Sequence, residues 1–394
     1  MAGFFFTKFP AQVPGPKICA VTSAKSCSRR CAVPTTSTHC HGTPLTEAIG
    51  RQALDLGARL TTESCGVVFF GGEPLLCKPL IAGIVDYARH LERGGAGRFH
   101  FKMTTNGLLL DDEFLEFAIR SDILVAMSFD GVREAHDRHR HLVNGGPTFD
   151  LLLERLKTLL AVRPYSSVLM CVNPDTAQYL ADSCSFLFDL SVQYLIVSLN
   201  YAADWTERDM KVLGKQCQRL GKLYIQWTRA GRKFYLSPFE VKLSSHINRH
   251  CWRKERCELA QRQISVDPQG YLFPCVQFPK AGPQSDWCIG HVSTGIDEER
   301  RARIHAASEG EKEFCRECAI KERCHNTCGC LNWQTTGSIN GISPVLCRYE
   351  QMLLPIADRV GEVLYKKRDP LFLHKHYNSA YPVLSLLEDT LTTK

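Results

Sequence analysis

The stretch Gly66-Val67-Val68-Phe69-Phe70 runs directly into Gly71-Gly72-Glu73-Pro74, and that junction decides how the first half of the chain is read. A short apolar run closed by glycine and proline is the pattern of a buried strand followed by a turn. The same pattern recurs on both sides. Apolar runs at Lys17–Val21, Phe99–Met103, Ile123–Met127, Ser167–Val172 and Tyr194–Leu199 alternate with amphipathic stretches at Leu45–Leu60, Leu75–Glu92, Asp112–Arg120, Phe149–Leu160, Tyr179–Leu190 and about Glu207–Trp227. Asp111-Asp112 and Asp150 supply capping oxygens or first-turn negative charge. Strand–helix alternation at this spacing predicts parallel βαβ units and an open α/β barrel of six strands, fewer than the full eight-fold barrel. Every strand after the first ends in polar or glycine-rich residues: Gly71-Gly72-Glu73-Pro74, Thr104-Thr105-Asn106-Gly107, Ser128-Phe129-Asp130-Gly131, Asn173-Pro174 and Asn200-Tyr201. In a parallel barrel these ends meet on one face, where a common pocket is expected.

Downstream the composition changes to a ladder of cysteines. Cys315, Cys318, Cys324 and Cys328 read C-x2-C-x5-C-x3-C, with Cys347 further on. Upstream, Cys251 and Cys257 read C-x5-C, and a Gly270-x4-Cys275 step follows. These are eight thiols in two interleaved groups of four. Four thiolates on short loops suit an iron–sulfur cluster. Four-cysteine zinc sites use C-x2-C pairs too, so zinc is the alternative metal.

The chain has 394 residues, 19 cysteines, 44% hydrophobic residues and a net charge of +7. That length holds two or three domains and a large core. MAGFFFTKFPAQVPGPK has only a three-Phe apolar run before charge and prolines, so no secretory signal is expected. No segment approaches the roughly 18 apolar residues that cross a bilayer. A cytoplasmic protein with reduced thiols is therefore expected, and its C-x2-C pairs read as metal sites rather than disulfides. The basic stretches Arg249–Lys254 and Glu299–Arg303 read as solvated surface, and no aromatic-interleaved basic repeat points to nucleic acid.

FFGGEPLL, TTNG and SFDG, in that order and each closing a strand, together with the cysteine ladder, resemble the radical S-adenosylmethionine (SAM) enzymes that carry a SPASM auxiliary-cluster domain. The resemblance covers about residues 17–350. It implies a partial (β/α)6 barrel over 17–232, a SPASM domain over 233–350, an N-terminal extension over 1–16 and a helical tail over 351–394. It further implies that Gly71, Gly72, Glu73 and Pro74 face the amino group of SAM and that Ser128 faces its ribose. Asn106, Asp130, Arg140 and Asn200 are expected to give further polar contacts. Glycines make physical sense there, because a missing Cβ lets backbone approach a ligand. By the same resemblance Cys251, Cys257, Cys275 and Cys328 hold a first auxiliary 4Fe–4S cluster and Cys315, Cys318, Cys324 and Cys347 a second. Cys288 and Cys330 are left as structural thiols.

The sequence departs from the family at its defining motif, C-x3-C-x2-C after the first strand. Cys27 and Cys31 supply C-x3-C, but the third position is Pro34, which cannot ligate iron. The next cysteine is Cys40, between His39 and His41. Three explanations compete: Cys40 ligates through a longer loop; the site is inactive and the protein binds without catalysis; or Lys25–Gly42, rich in Ser, Thr, Pro, Arg and His, is a locally shifted reading frame. The intact motifs on either side favour the last.

From Phe69 onward, LNYAADWTERDM, FYLSPFEVKLSSHIN, NTCGCLNWQTTGSIN and the HKHYN tail resemble the peptide maturases of CXXX-repeat targets. This implies a ribosomally made, Cys-rich precursor peptide as substrate and a thioether or related cross-link as product. It also implies a reductant such as flavodoxin or ferredoxin and, with so short an N-terminal extension, recognition of the leader by the barrel rim, the tail or a separate protein. The anaerobic sulfatase-maturing enzymes are the nearest rival; where they place an aspartate after the cysteine matching Cys275, this chain has Val276. No catalytic acid or base stands out. Asp204, Glu240 and His246 are candidates by position only.

Overall fold

The computed structural model describes residues 45–392 apart from 62, 249–257, 311, 325 and 327, together with the backbone of Lys17–Thr22 and Cys31–Val33. The strands are β1 (Lys17–Thr22), β2 (Cys31–Val33), β3 (Ser64–Gly71), β4 (Arg98–Thr105), β5 (Ile123–Ser128), β6 (Arg140–Leu142), β7 (Ser167–Val172), β8 (Tyr194–Leu199), β9 (Tyr235–Leu236), β10 (Gln263–Val266), β11 (Leu272–Phe273), β12 (Gly290–His291) and β13 (Gly295–Ile296). The helices are α1 (Glu47–Leu60), α2 (Lys78–Arg93), α3 (Asp112–Arg120), α4 (Arg133–His139), α5 (Phe149–Val162), α6 (Leu180–Asp189), α7 (Glu207–Arg229), α8 (Ser237–Asn248), α9 (Glu298–Glu309), α10 (Gly329–Thr336), α11 (Pro344–Lys366), α12 (Pro370–Tyr377) and α13 (Tyr381–Thr392).

The expected six strands β1, β3, β4, β5, β7 and β8 pair in chain order, all parallel. The sheet does not stop there. β9 adds to β8 at one edge, and β10 pairs in parallel with β1 at the other, followed by antiparallel β11. Two segments of the cysteine-rich half are thus spliced into the barrel sheet.

Strand alternation sorts the side chains into two layers. Phe69, Phe101, Met103 and Met127 are fully buried under the helices, with Phe69 stacked on Phe101 at 6.0 Å. The alternate positions Val68, Lys102, Thr104 and Ser128 face the other side. Caps fix the helix starts. Asp111 accepts from the Phe114 amide at the head of α3, and Thr206 with Asp209 forms a capping box on α7.

The aromatic run Phe234–Glu240, whose composition reads as a strand linking the barrel to the cysteine-rich region, is strand only at Tyr235–Leu236; Ser237-Pro238 opens α8, where the fixed φ of proline suits a first helical turn. Pro355, where the amphipathic aromatic tail reads as beginning, lies inside α11, a helix running from 344 to 366. Burial of Leu353, Leu354, Ala357 and Val360 overrides the helix-breaking tendency of that proline.

Candidate active site

The loops at the C-terminal ends of the strands are stitched to one another. Glu73, only 3% exposed, accepts from the Leu75 amide (3.1 Å) and the Thr105 hydroxyl (2.7 Å) through one oxygen and from the Asn106 amide (2.7 Å) through the other. The GGEP loop is thereby tied to the TTNG loop. Asp130 receives both Nε and Nη2 of Arg140, at 2.7 and 2.9 Å, and the Cys171 amide at 2.9 Å, which ties the SFDG loop to β6 and β7. Asn200 Nδ2 donates to Asn173 Oδ1 at 2.9 Å, joining the ends of β7 and β8. Gly107 and Gly131 have φ of +87° and +92°; a Cβ there would lie 2.4 Å from Met127 Cε and 2.0 Å from Ser183 Cβ. Only glycine fits these two turns.

The expected SAM-facing residues therefore divide. Glu73, Asp130, Arg140 and Asn200 spend the polar atoms just named on neighbouring loops. Asn106 closes an Asx turn with its Oδ1 on the Leu108 amide. Pro74 is buried at the start of a short 3-10 turn. Gly72 is exposed and Gly71 partly so. The Ser128 hydroxyl, at the end of β5, makes no hydrogen bond to another described residue. The Thr104 hydroxyl is buried with no hydrogen-bond partner among the described residues. The exposed Gly72 backbone and the Ser128 and Thr104 hydroxyls, all at strand ends on the rim side, are polar groups left over for a polar, nucleoside-bearing ligand such as SAM. Thr104 and Thr105 were not singled out from sequence, although both lie in the TTNG motif.

The three candidate acid–base residues part company. Asp204 is exposed in the loop after β8, on the rim side. Glu240 is buried and pairs with Lys375 of α12, while Tyr224 donates to it at 2.8 Å. Tyr224 lies 17 residues into α7, about 25 Å back from the rim at 1.5 Å per residue. His246 is held by Asp358 at 3.2 Å, beside the Arg323–Asp358 pair. Glu240 and His246 thus each have a charged partner from the C-terminal helices, and the contact with Tyr224 sets Glu240 back from the rim.

Cys27, Cys40, Cys251 and Cys257 lie outside the described residues, and Cys31 is described as backbone in β2 only. Of the ladder, Cys315, Cys318, Cys324 and Cys347 are partly exposed neighbours: burial and then Cys318 and Cys315 raise the Cys347 pKa, and burial pushes Cys324 up to about 12. Asn326 donates its amide nitrogens to Cys324 Sγ (3.4 Å, backbone) and Cys315 Sγ (3.7 Å, side chain). Such donors suit thiolates in a cluster. Among the described residues no three potential ligands close into a formed metal shell, so the thiols are neighbours rather than a cage. Cys330, set aside in the sequence as a structural thiol, sits between the two described members of the first set. Its Sγ is 3.1 Å from Cys328 Sγ; the neighbouring Cys275 and then Cys328 raise its pKa, and Cys330 in turn lowers that of Cys328. The signal available in the sequence was the C-x-C spacing of 328 and 330.

With this geometry in place, comparison with known proteins is informative. Residues 27–187 match the radical SAM superfamily model. The serine-type anaerobic sulfatase-maturating enzyme of Bacteroides thetaiotaomicron is 32% identical over 303 residues, covering 69% of this chain and 72% of that protein. The cysteine-type enzyme of Clostridium novyi is 22% identical, covering 54% of this chain and 59% of that one. The solved structure of anSMEcpe with bound AdoMet and a Kp18Cys peptide superimposes with a TM-score of 0.73 at 16% identity, covering 89% of this chain and 100% of that one. The chain belongs to the radical SAM superfamily, among its SPASM-type maturases. No helix of the described residues is long and apolar enough to cross a membrane.

Proposed function

We propose that this radical SAM maturase modifies a ribosomally made, Cys-rich precursor peptide, forming a thioether or related cross-link. The observation that carries the choice of substrate is Val276. It follows Cys275, is only partly buried, and stands where the sulfatase-maturing enzymes are expected to have a carboxylate base. A valine cannot take a proton, so the second proton transfer needed to make an aldehyde has no agent at that position.

When bound, SAM and its cluster supply a 5′-deoxyadenosyl radical that takes a hydrogen atom from an unactivated carbon. The chain holds the ligand. Gly71 and Gly72 offer backbone to its amino group, Ser128 offers a hydroxyl to its ribose, and the Glu73, Asp130 and Asn200 stitches keep the rim loops in register. Cys27 and Cys31 would hold the SAM cluster, with Cys40 as the third ligand where Lys25–Gly42 is read as written and the restored third cysteine where its frame is shifted. Cys251, Cys257, Cys275 and Cys328 would hold the first auxiliary cluster; Cys315, Cys318, Cys324 and Cys347 the second. With four thiolates on the first auxiliary cluster, the substrate sulfur does not bind its iron. Asp204, exposed in the loop after β8, would receive the thiol proton. A flavodoxin or ferredoxin would supply electrons, and a separate protein could present the leader.

The test uses anaerobically purified protein with dithionite, SAM and a Cys-containing peptide encoded beside its gene. Formation of 5′-deoxyadenosine with a peptide lighter by one H2 is expected. Protein that holds its clusters yet cleaves no SAM overturns the proposal. The 32% identity to the Bacteroides relative favours a second reading, sulfatase-maturase-like modification. A sulfatase peptide converted to the aldehyde would select it.

A further inference from the structure

Behind the SFDG loop, four side chains close a ring. The Asp130 amide donates to His136 Nδ1 at 3.3 Å. That donor makes Nδ1 an acceptor, so the proton of neutral His136 sits on Nε2. Nε2 lies 3.2 Å from Thr148 Oγ1, to which it donates. The Thr148 hydroxyl donates its own hydrogen bond to the Arg140 carbonyl at 2.9 Å. The Arg140 guanidinium returns to both oxygens of the Asp130 carboxylate. Every bond in the ring has one direction, and only the Nε2–H tautomer satisfies all of them. His136 is 0% exposed and packs on Phe129 with ring centroids 4.2 Å apart. Asp137 Oδ1 holds the far side by accepting the Thr148 and Phe149 amides, each at 2.9 Å.

The ring also reaches the N-terminal loop. Arg140 begins β6, and β6 pairs in parallel with β2 so that Arg140 stands opposite Cys31. On the other side, Ser128 lies two residues before Asp130. One hydrogen-bonded ring therefore fixes the strand opposite a cysteine of the expected SAM cluster and the turn after the hydroxyl expected to face the ribose.

We propose that His136 is a positioning residue whose ring with Thr148, Arg140 and Asp130 clasps the Cys31 strand to the Ser128 loop, so that cluster loop and ribose subsite are set by one element. The inference rests on the SAM-binding reading above. It goes beyond that reading by assigning a function to His136 and Thr148, whose partners here are the Asp130 amide and the Arg140 carbonyl.

The test compares wild type with His136→Ala, His136→Asn and Thr148→Val, using SAM binding by equilibrium dialysis and hydrogen exchange of residues 31–33. His136→Ala should weaken SAM binding tenfold or more and speed exchange at 31–33, with auxiliary iron unchanged. His136→Asn, which keeps an acceptor for the Asp130 amide, should recover part of both. Thr148→Val, close in shape and so safer for folding, should reproduce both defects. Wild-type exchange at 31–33 in His136→Ala or Thr148→Val, with wild-type SAM binding, overturns the clasp. If wild type itself binds no SAM, the functional reading fails, and exchange at 31–33 alone still decides the clasp.

Discussion

Burial pushes the Glu73 carboxyl above the ordinary carboxylate range, while the Asn106 amide, the Thr105 hydroxyl and the Leu75 amide pull it back. His136 is likewise pushed toward its neutral form. Burial first, and then Arg140, lowers its pKa from 6.5 to about 4, against weaker opposing pulls from Asp130 and Asp137. Between these two values the unfolded chain binds the proton and the folded chain does not. Stability therefore rises with pH across this window; the contribution is complete above about 6.5 and is lost as pH falls toward 4. Its full size is on the order of 3 kcal/mol. Unfolding midpoints at pH 5 and pH 7 check this. Wild type should lose more on acidification than His136→Gln, and equal losses would contradict the assignment. The motif residues were legible because glycine, serine and asparagine at strand ends have few other uses. Their partners were not. Nothing in SFDG announces that its aspartate is answered by Arg140 ten residues on, or that a histidine between them completes a ring, because those contacts arise only when β6 folds back beside the loop.

At the level of elements, α8 and α11 are joined by a buried ion pair. Lys242 Nζ meets Glu350 Oε1 at 2.6 Å, and both side chains are 2% exposed. Arg323 binds Asp358 through two nitrogens and reaches the Ser245 hydroxyl and Lys242 carbonyl, pinning the loop that carries Cys324 onto the same two helices. Removing one member of a buried pair strands the other charge, which typically costs about 3–5 kcal/mol, whereas replacing both by apolar residues is often neutral. Lys242→Met should therefore lower the urea midpoint strongly, and Lys242→Met/Glu350→Leu should restore most of it. A single variant as stable as wild type would show that the pair is not buried in solution. The six barrel strands were legible from their spacing and their closing loops. The link between the halves was not. Phe234–Glu240 has the aromatic composition of a strand, yet Pro238 starts a helix there, and Pro355 reads as a break inside a helix whose packing tolerates it.

For the molecule as a whole, the thiol ladder was readable in outline and its membership was not. The resemblance implied four ligands for the first auxiliary site, and the fold sets Cys330 against Cys328 and near Cys275. A fifth thiol should serve as a substitute. Cys251→Ala should keep most of its iron, and Cys251→Ala/Cys330→Ala should lose about four irons relative to wild type, the content of one 4Fe–4S cluster. Iron analysis of anaerobic protein decides it; loss of the same iron in Cys251→Ala alone would show that Cys330 does not substitute. The C-terminal helices could be foreseen as amphipathic, but their anchor could not. Lys375, its pKa lowered by burial, reaches Glu240 and the Phe234 carbonyl from more than a hundred residues away in sequence.

The splice of β10 and β11 onto β1 has a mechanical meaning. Cys275 follows β11 by two residues, and the N-terminal loop follows β1, so both stem from a single hydrogen-bonded sheet. A sheet of this kind has no hinge between its strands. The two halves of the protein would then act as a fixed ruler toward the peptide proposed above, which would have to fit them as they stand instead of prising them apart. Dipolar spectroscopy between the SAM-site and first auxiliary spins should give one distance, the same with and without peptide; a shift of several ångströms on binding would show that the ruler bends.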